Sequence, residues 1–135
     1  MPITDSYAQE VMIGAIGEGV LTPPTELWLA LHTANPGRGG SFAAEVTGSG
    51  YARMEVTNLI SSVQGNGSVA LIGTVEFPGQ ASVWGDITFV SLCKDETSTA
   101  PGTMMFYAEN ANPRYIDENE PPVKFYPASV TFGLR

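Results

Sequence analysis

Residue types able to do chemistry are scarce in this chain, which has one histidine, His32, one cysteine, Cys93, and a scatter of acids. The first chemistry they allow is a Cys–His nucleophile pair oriented by Asp86 or Asp95, since such groups meet in space and not along the chain. Position argues against it. Cys93 closes an apolar strand pattern, where a lone cysteine acts as a small core hydrophobe. His32 closes another, where a histidine serves to satisfy turn backbone. No serine stands in a G-x-S-x-G elbow. The pattern predicts no catalytic residue and no enzyme.

Metal binding would rest on Asp117, Glu118 and Glu120, or on Asp95 with Glu96. Calcium takes roughly six or more oxygens from carboxylates spaced along a loop with a glycine at its sharp turn, and neither run has that spacing. Zinc needs more sulfur or imidazole than one His and one Cys supply. No G-x-G-x-x-G or G-x-x-x-x-G-K-[ST] follows a strand and opens a helix, so Gly37, Gly39 and Gly40 read as turn chemistry. The expectation is no metal and no cofactor. Aromatic rings are the remaining resource, because a stacked ring can hold a sugar. Trp28, Trp84, Tyr51, Tyr107 and Tyr126 lie on strand patterns and read as packing, whereas Tyr115, beside Arg114 in a polar stretch, reads as an exposed contact for a host-surface glycan.

The elements that hold these residues follow from composition and punctuation. A chain of 135 residues can bury its own core, and the reading is a single β domain over 1–135, with a helical segment at 1–21 and a β-sandwich at 22–135. Only 15% of residues are charged, while fifteen glycines and ten prolines supply turns, which suits short strands better than long surface helices. The net charge of −8 opposes nucleic acid and anionic membranes, both of which need a positive field. A single cysteine permits no internal disulfide. No run of roughly 18 apolar residues spans a membrane, and no basic-then-apolar start marks a secretory signal, so synthesis is expected in the cytoplasm.

Ser6 and Gln9 form a capping box for a helix over Ser6–Ile16, with Tyr7, Val11, Ala15, Met12 and Ile16 as its apolar stripe and Gly17 and Gly19 as left-handed stops. Such a short helix must dock, either on its own domain or as an arm on a neighbouring subunit. Glu26–Thr33 reads as a central strand covered on both sides, with Leu27, Leu29 and Leu31 on one face and Trp28, Ala30 and His32 on the other. Asn35–Gly40 is an exposed turn loop that runs on to Gly50. In Tyr51–Thr57, Ala52, Met54 and Val56 face in while Arg53 and Glu55 face out. Gln64–Gly67 is a hairpin turn signal, and Val69, Leu71, Val75 and Phe77 mark the next strand. Val83–Cys93 follows, with Ile87 and Phe89 opposite Val90 and Leu92. Thr103–Ala108, Val123–Tyr126 and Ser129–Leu134 complete about seven or eight strands, and Asn110–Pro122 is a polar excursion between them. This predicts an all-β antiparallel sandwich or barrel with one short N-terminal helix.

Several stretches, read in order, resemble a family of small virion proteins of tailed bacteriophages, of the tail-fibre or minor structural kind. They are Leu27–Gly37, Glu45-Val46 with Gly50-Tyr51-Ala52-Arg53, Val75–Pro78 leading to Trp84–Thr88, Met105-Phe106-Tyr107, and the closing Tyr126–Phe132. The resemblance spans most of the chain. It departs at Asn110–Pro122, which is richer in acids and proline, and at Lys94-Asp95-Glu96, which precedes a loop without paired glycines.

The resemblance implies a non-enzymatic structural protein on the virion, acting as head decoration or as a tail-fibre component. It also implies homo-oligomers, expected as trimers, that contact major capsid or tail proteins. An adhesion module for a host receptor or glycan is the alternative. The contact surfaces would then be the helix (Tyr7, Val11), the Asn35–Gly50 loop (Arg38) and the Asn110–Pro122 loop (Arg114, Tyr115).

Overall fold

Two long strands form the spine of the computed structural model, which describes residues 3–17, 24–60, 69–77, 83–117, 121–126 and 131–132. They are β5 (Gly85–Cys93) and β6 (Met104–Ile116), an antiparallel hairpin. β1 (Trp28–His32) pairs with β5 on its other side, and β2 (Met54–Glu55) pairs with β1, giving the order β2-β1-β5-β6. Two short ladders accompany this sheet: β3 (Val69–Ala70) with β8 (Thr131–Phe132), and β4 (Val75–Glu76) with β7 (Lys124–Phe125). All pairings are antiparallel. The arrangement is sandwich-like and not a closed barrel.

β1 is covered on both sides, as its apolar residues on both faces require. Leu29 and Leu31 join Val56, Leu71, Val75, Phe77, Val90, Leu92, Ile116 and Phe125 in the main core. Ala30 joins Cys93, Met104 and Tyr107 in a smaller cluster closed by Trp28, Phe42 and Phe89. Beyond β2, the edge of β1 is covered by Ala44–Val46: Thr33 N–H donates to Ala44 O and Val46 N–H to Leu31 O.

Strict alternation fails where the ladder bulges. Ile87, Val90 and Leu92 all lie in the main core, whereas Phe89 packs on the smaller cluster, so the expected pairing of Ile87 with Phe89 on one face is wrong. The cause is a register break between Ile87 and Phe89, which pair with Arg114 and Glu109. One residue on β5 there faces four on β6. The same bulge corrects the expected Asn110–Pro122 loop, because residues as far as Ile116 are strand. Pro113 is tolerated because it lies in the bulge and needs no ladder donor. Asn110 Nδ2 donates to Ile87 O, so a side chain serves where the ladder is interrupted.

Two further expectations change. Arg53 is buried and Ala52 exposed, the reverse of the alternation. The strand expected across Val69–Phe77 divides into β3 and β4, and Leu71 makes an isolated bridge to Ile60. Gly73 lies in that gap, where a Cβ would meet Leu59 Cδ2 at 2.7 Å. The Gln64–Gly67 turn, Gly19, and the ends of the Ser129–Leu134 strand lie outside the described residues.

The helix α1 spans Asp5–Ile16, capped by Thr4 and not by a Ser6–Gln9 box. The Thr4 side chain makes no cap bond; its hydroxyl donates to Met104 O at 2.6 Å, and its N–H donates to Met105 O at 2.8 Å. Docking on β6 therefore takes the hydroxyl away from the helix end. Gly40, at φ +67, makes room for this, since its Cβ would lie 3.3 Å from Thr4 Cγ2. Gly17 ends the helix in an extended conformation, not a left-handed one. Thr4→Val keeps the shape and deletes the buried hydroxyl. It is expected to lower stability by about 1–2 kcal/mol in urea denaturation, because the Met104 carbonyl loses a donor.

Candidate functional site

The chemistry-bearing residues gather on the face of the main sheet that carries Ala30 and Cys93. β1 places His32 and β5 places Ser91 and Cys93 on this face. His32 Nε2 lies 2.7 Å from Ser91 Oγ, which lies 3.4 Å from Cys93 Sγ. All three residues are 0% exposed. Burial lowers the His32 pKa from 6.5 to about 4; the Glu45 carboxylate opposes that shift and the Arg53 guanidinium adds to it. Burial pushes the Cys93 thiol up to about 11, which keeps it a thiol and not a nucleophilic thiolate.

The Cys–His pair that the residue types allowed, and their positions argued against, is thus half assembled. His32 and Cys93 meet through Ser91, and His32 bonds this side chain rather than turn backbone. Neither aspartate joins them. Asp86 stands opposite Tyr115 in the β5–β6 register, and Asp95 accepts the N–H groups of Thr97 and Ser98, which lower its pKa. A hydrogen-bonded chain sealed from solvent can hold the sheet face together, but no substrate reaches it.

Beside it lies a unit that alternation did not anticipate. The Arg53 guanidinium is bidentate on Glu45, Nε to Oε2 at 2.7 Å and Nη2 to Oε1 at 2.9 Å. Its Nη1 donates to the carbonyls of Asp95 and Ser98. Tyr51 donates its hydroxyl to Glu45 Oε2 and accepts Leu31 N–H, and burial beside Glu45 raises its pKa. Arg53 also lies over the Phe42 ring, 4.6 Å from its centroid. Three segments, 42–46, 51–53 and 95–98, are pinned together by one side chain.

The outer surface carries the expected contact residues, divided among separate places. Tyr7 and Val11 are half-buried against the domain: Tyr7 meets Phe106 edge-on at 5.5 Å, and Lys94 Nζ lies 5.7 Å from its ring centroid. Burial, then Glu10, raises the Tyr7 pKa. Arg38, on the exposed Asn35–Gly40 turn, pairs with Asp5 at 2.7 Å, and the Asp5 bond raises its pKa. Arg114 reaches from β6 to Pro121 O, and Tyr115 is 53% exposed. Met12, Ile13 and Ile16, on the far side of α1, are more exposed than Tyr7 or Val11.

A family model described as podophage GP4 fiber I protein gp80 matches residues 2–133. The chain belongs to that family. It is a tailed-phage virion fibre family, and no curated protein matches beside it. Segments on which the phage resemblance rested have structural roles in this member of the fibre family. Glu45, Tyr51 and Arg53 are one bonded unit, and Tyr51 stacks parallel to Phe77 and edge-on to Trp84. Among the described residues, no group of three His, Cys, Asp or Glu side chains could hold a metal ion, and no helix is long and apolar enough to cross a membrane.

Proposed function

We propose that the chain works as one β domain, a non-enzymatic structural component of the phage tail fibre, made in the host cytoplasm and assembled as symmetric copies on the virion. One observation carries the reading. The polar chemistry of the chain is spent on shape: His32, Ser91 and Cys93 are sealed, and Arg53 ties three segments together. The family's description as a fiber protein supports the fibre over head decoration. Other tail proteins are the expected neighbours. Quantitative mass spectrometry of purified virions, with immunogold labelling, tests it. Copy number in step with the tail proteins and label on the fibre are expected; copy number in step with the major capsid protein overturns it.

A second reading, contact with a host-surface glycan, is favoured by Tyr115. Its ring is exposed on β6, with Asp86 opposite on β5 and Arg114 adjacent. An exposed ring with a carboxylate-bearing residue opposite it is an arrangement on which a sugar stacks. A glycan array should then show binding that Tyr115→Ala removes, and an array blank for the unaltered protein overturns it.

A further inference from the structure

We propose that α1 is a strap that opens and closes on the outer strand β6 while the sandwich beneath it stays folded, and that Lys94 is its latch.

The helix has little of its own to hold it together. Its 12 residues are too few for a helix to persist in water without packing. Gly14 weakens its interior, the Thr4 hydroxyl is diverted from the helix start to β6, and no basic residue in the last turn offsets the helix dipole. Packing adds little. No residue of α1 is buried, and its large apolar side chains Met12, Ile13 and Ile16 stay mostly in water when the strap is closed. Opening therefore exposes little new apolar surface, which is the condition for a segment to open apart from the rest of the fold.

The fastenings lie in the first half of the helix. Thr4 is the fixed end: it is 0% exposed and bonded to the Met104 and Met105 carbonyls. Asp5 pairs with Arg38, but both side chains are exposed and water screens the pair. Tyr7 then meets Phe106 edge-on. Lys94, just past the end of β5, holds α1 at two points. Its Nζ lies 2.7 Å from Glu10 Oε2 and 5.7 Å from the Tyr7 ring centroid. Its own backbone is fixed, since Lys94 N–H donates to Thr103 O. Beyond Glu10, no side chain of Val11–Ile16 makes a hydrogen bond or ion pair among the described residues. Opening thus starts at Ile16 and stops at Thr4, and release of Lys94 frees Glu10 and Tyr7 together. What it uncovers is Phe106, on the outer strand of the β2-β1-β5-β6 sheet. The buried core contains no residue of α1, so it survives the opening.

Hydrogen exchange of the full chain, followed by mass spectrometry across a urea series, tests this. Amides of the second half of α1 should exchange at least about a hundredfold faster than those of β1 and β5. Their rates should be insensitive to low urea, because a local opening exposes little surface. Lys94→Gln should speed exchange in α1 about tenfold, through loss of both the ion pair and the ring contact, and leave β1 and β5 unchanged. Salt at about 1 M should speed α1 in the unaltered protein and much less in Lys94→Gln. Glu10→Lys should speed it too, and adding Lys94→Glu should slow it again. If α1 exchanges only together with β1 and β5 at every urea concentration, it is part of the global folding unit and there is no strap. If Lys94→Gln leaves α1 unchanged, or speeds β1 and β5 equally, Lys94 is not a latch. Either result overturns the proposal.

Discussion

Replacing Arg53 by methionine is expected to cost roughly 3–5 kcal/mol of folding stability, measured by urea denaturation. The guanidinium is 5% exposed and makes five contacts that no apolar side chain replaces: two to the Glu45 carboxylate, one each to Asp95 O and Ser98 O, and its face to Phe42. Methionine fills most of the volume and leaves a largely buried carboxylate with the Tyr51 hydroxyl still donating to it. That uncompensated charge is the main cost, and the two orphaned carbonyls add to it. Two companion variants separate these causes. Arg53→Lys keeps the charge and loses the fork, so it should recover only part of the loss. Removing both charges with Arg53→Met and Glu45→Leu should recover most of it, since a buried pair exchanged for apolar groups is often neutral. Hydrogen exchange should show the 95–98 turn opening in Arg53→Met. A loss under about 1 kcal/mol would mean that the pair is only a surface-type bridge.

That Arg53 escaped the sequence reading has a physical reason. Period-two alternation assigns a charged residue to the solvent face, and within Tyr51–Thr57 only partners outside the segment could overrule it. Glu45, eight residues upstream, lies in a loop, and the Asp95 and Ser98 carbonyls are more than forty residues away. Conversely, β1 was legible because its apolar residues on both faces leave one solution, and Asn35–Gly40 because its turn chemistry is local: Asn35 Oδ1 accepts Gly37 N–H, and Gly40 N–H bonds Gly37 O. The Asn110–Ile116 strand was hidden by composition. Backbone pairing is indifferent to polar side chains, and a bulge excuses the proline. Helix α1 has two apolar stripes of the same period, and only Phe106 and the Thr4 bonds decide which one turns inward. Tyr7, Val11 and Arg38 stand on the helix and the turn where the sequence places them, whereas Arg114 and Tyr115, expected on a loop, stand on β6; which way each faces is a matter of tertiary structure.

Lowering the pH from about 7 to 4 is expected to remove roughly 3 kcal/mol of stability through His32 alone. Its folded pKa lies at about 4, below the 6.5 of an unburied imidazole. Between those two values the unfolded chain binds a proton that the folded chain refuses, so stability falls as the pH falls through this window and levels off below it. The geometry explains the refusal. His32 is 0% exposed, its Nε2 is engaged by Ser91, and its Nδ1 has no hydrogen-bond partner. Protonation would place an unpaired N–H and a charge against the Phe42 ring, whose centroid lies 6.1 Å away, with Arg53 repelling it. Glu45 offers partial compensation, but its carboxylate is already committed to Arg53 and Tyr51. His32→Gln isolates the effect, because an amide keeps a partner for Ser91 and does not titrate. Calorimetric melting across pH 4–7 should then show a shallower slope for the variant than for the unaltered protein, even if the variant is less stable at pH 7. Every other titrating group is common to both proteins, so its contribution cancels in the comparison. Equal slopes would place the acid sensitivity elsewhere and show that the buried imidazole accepts its proton without cost.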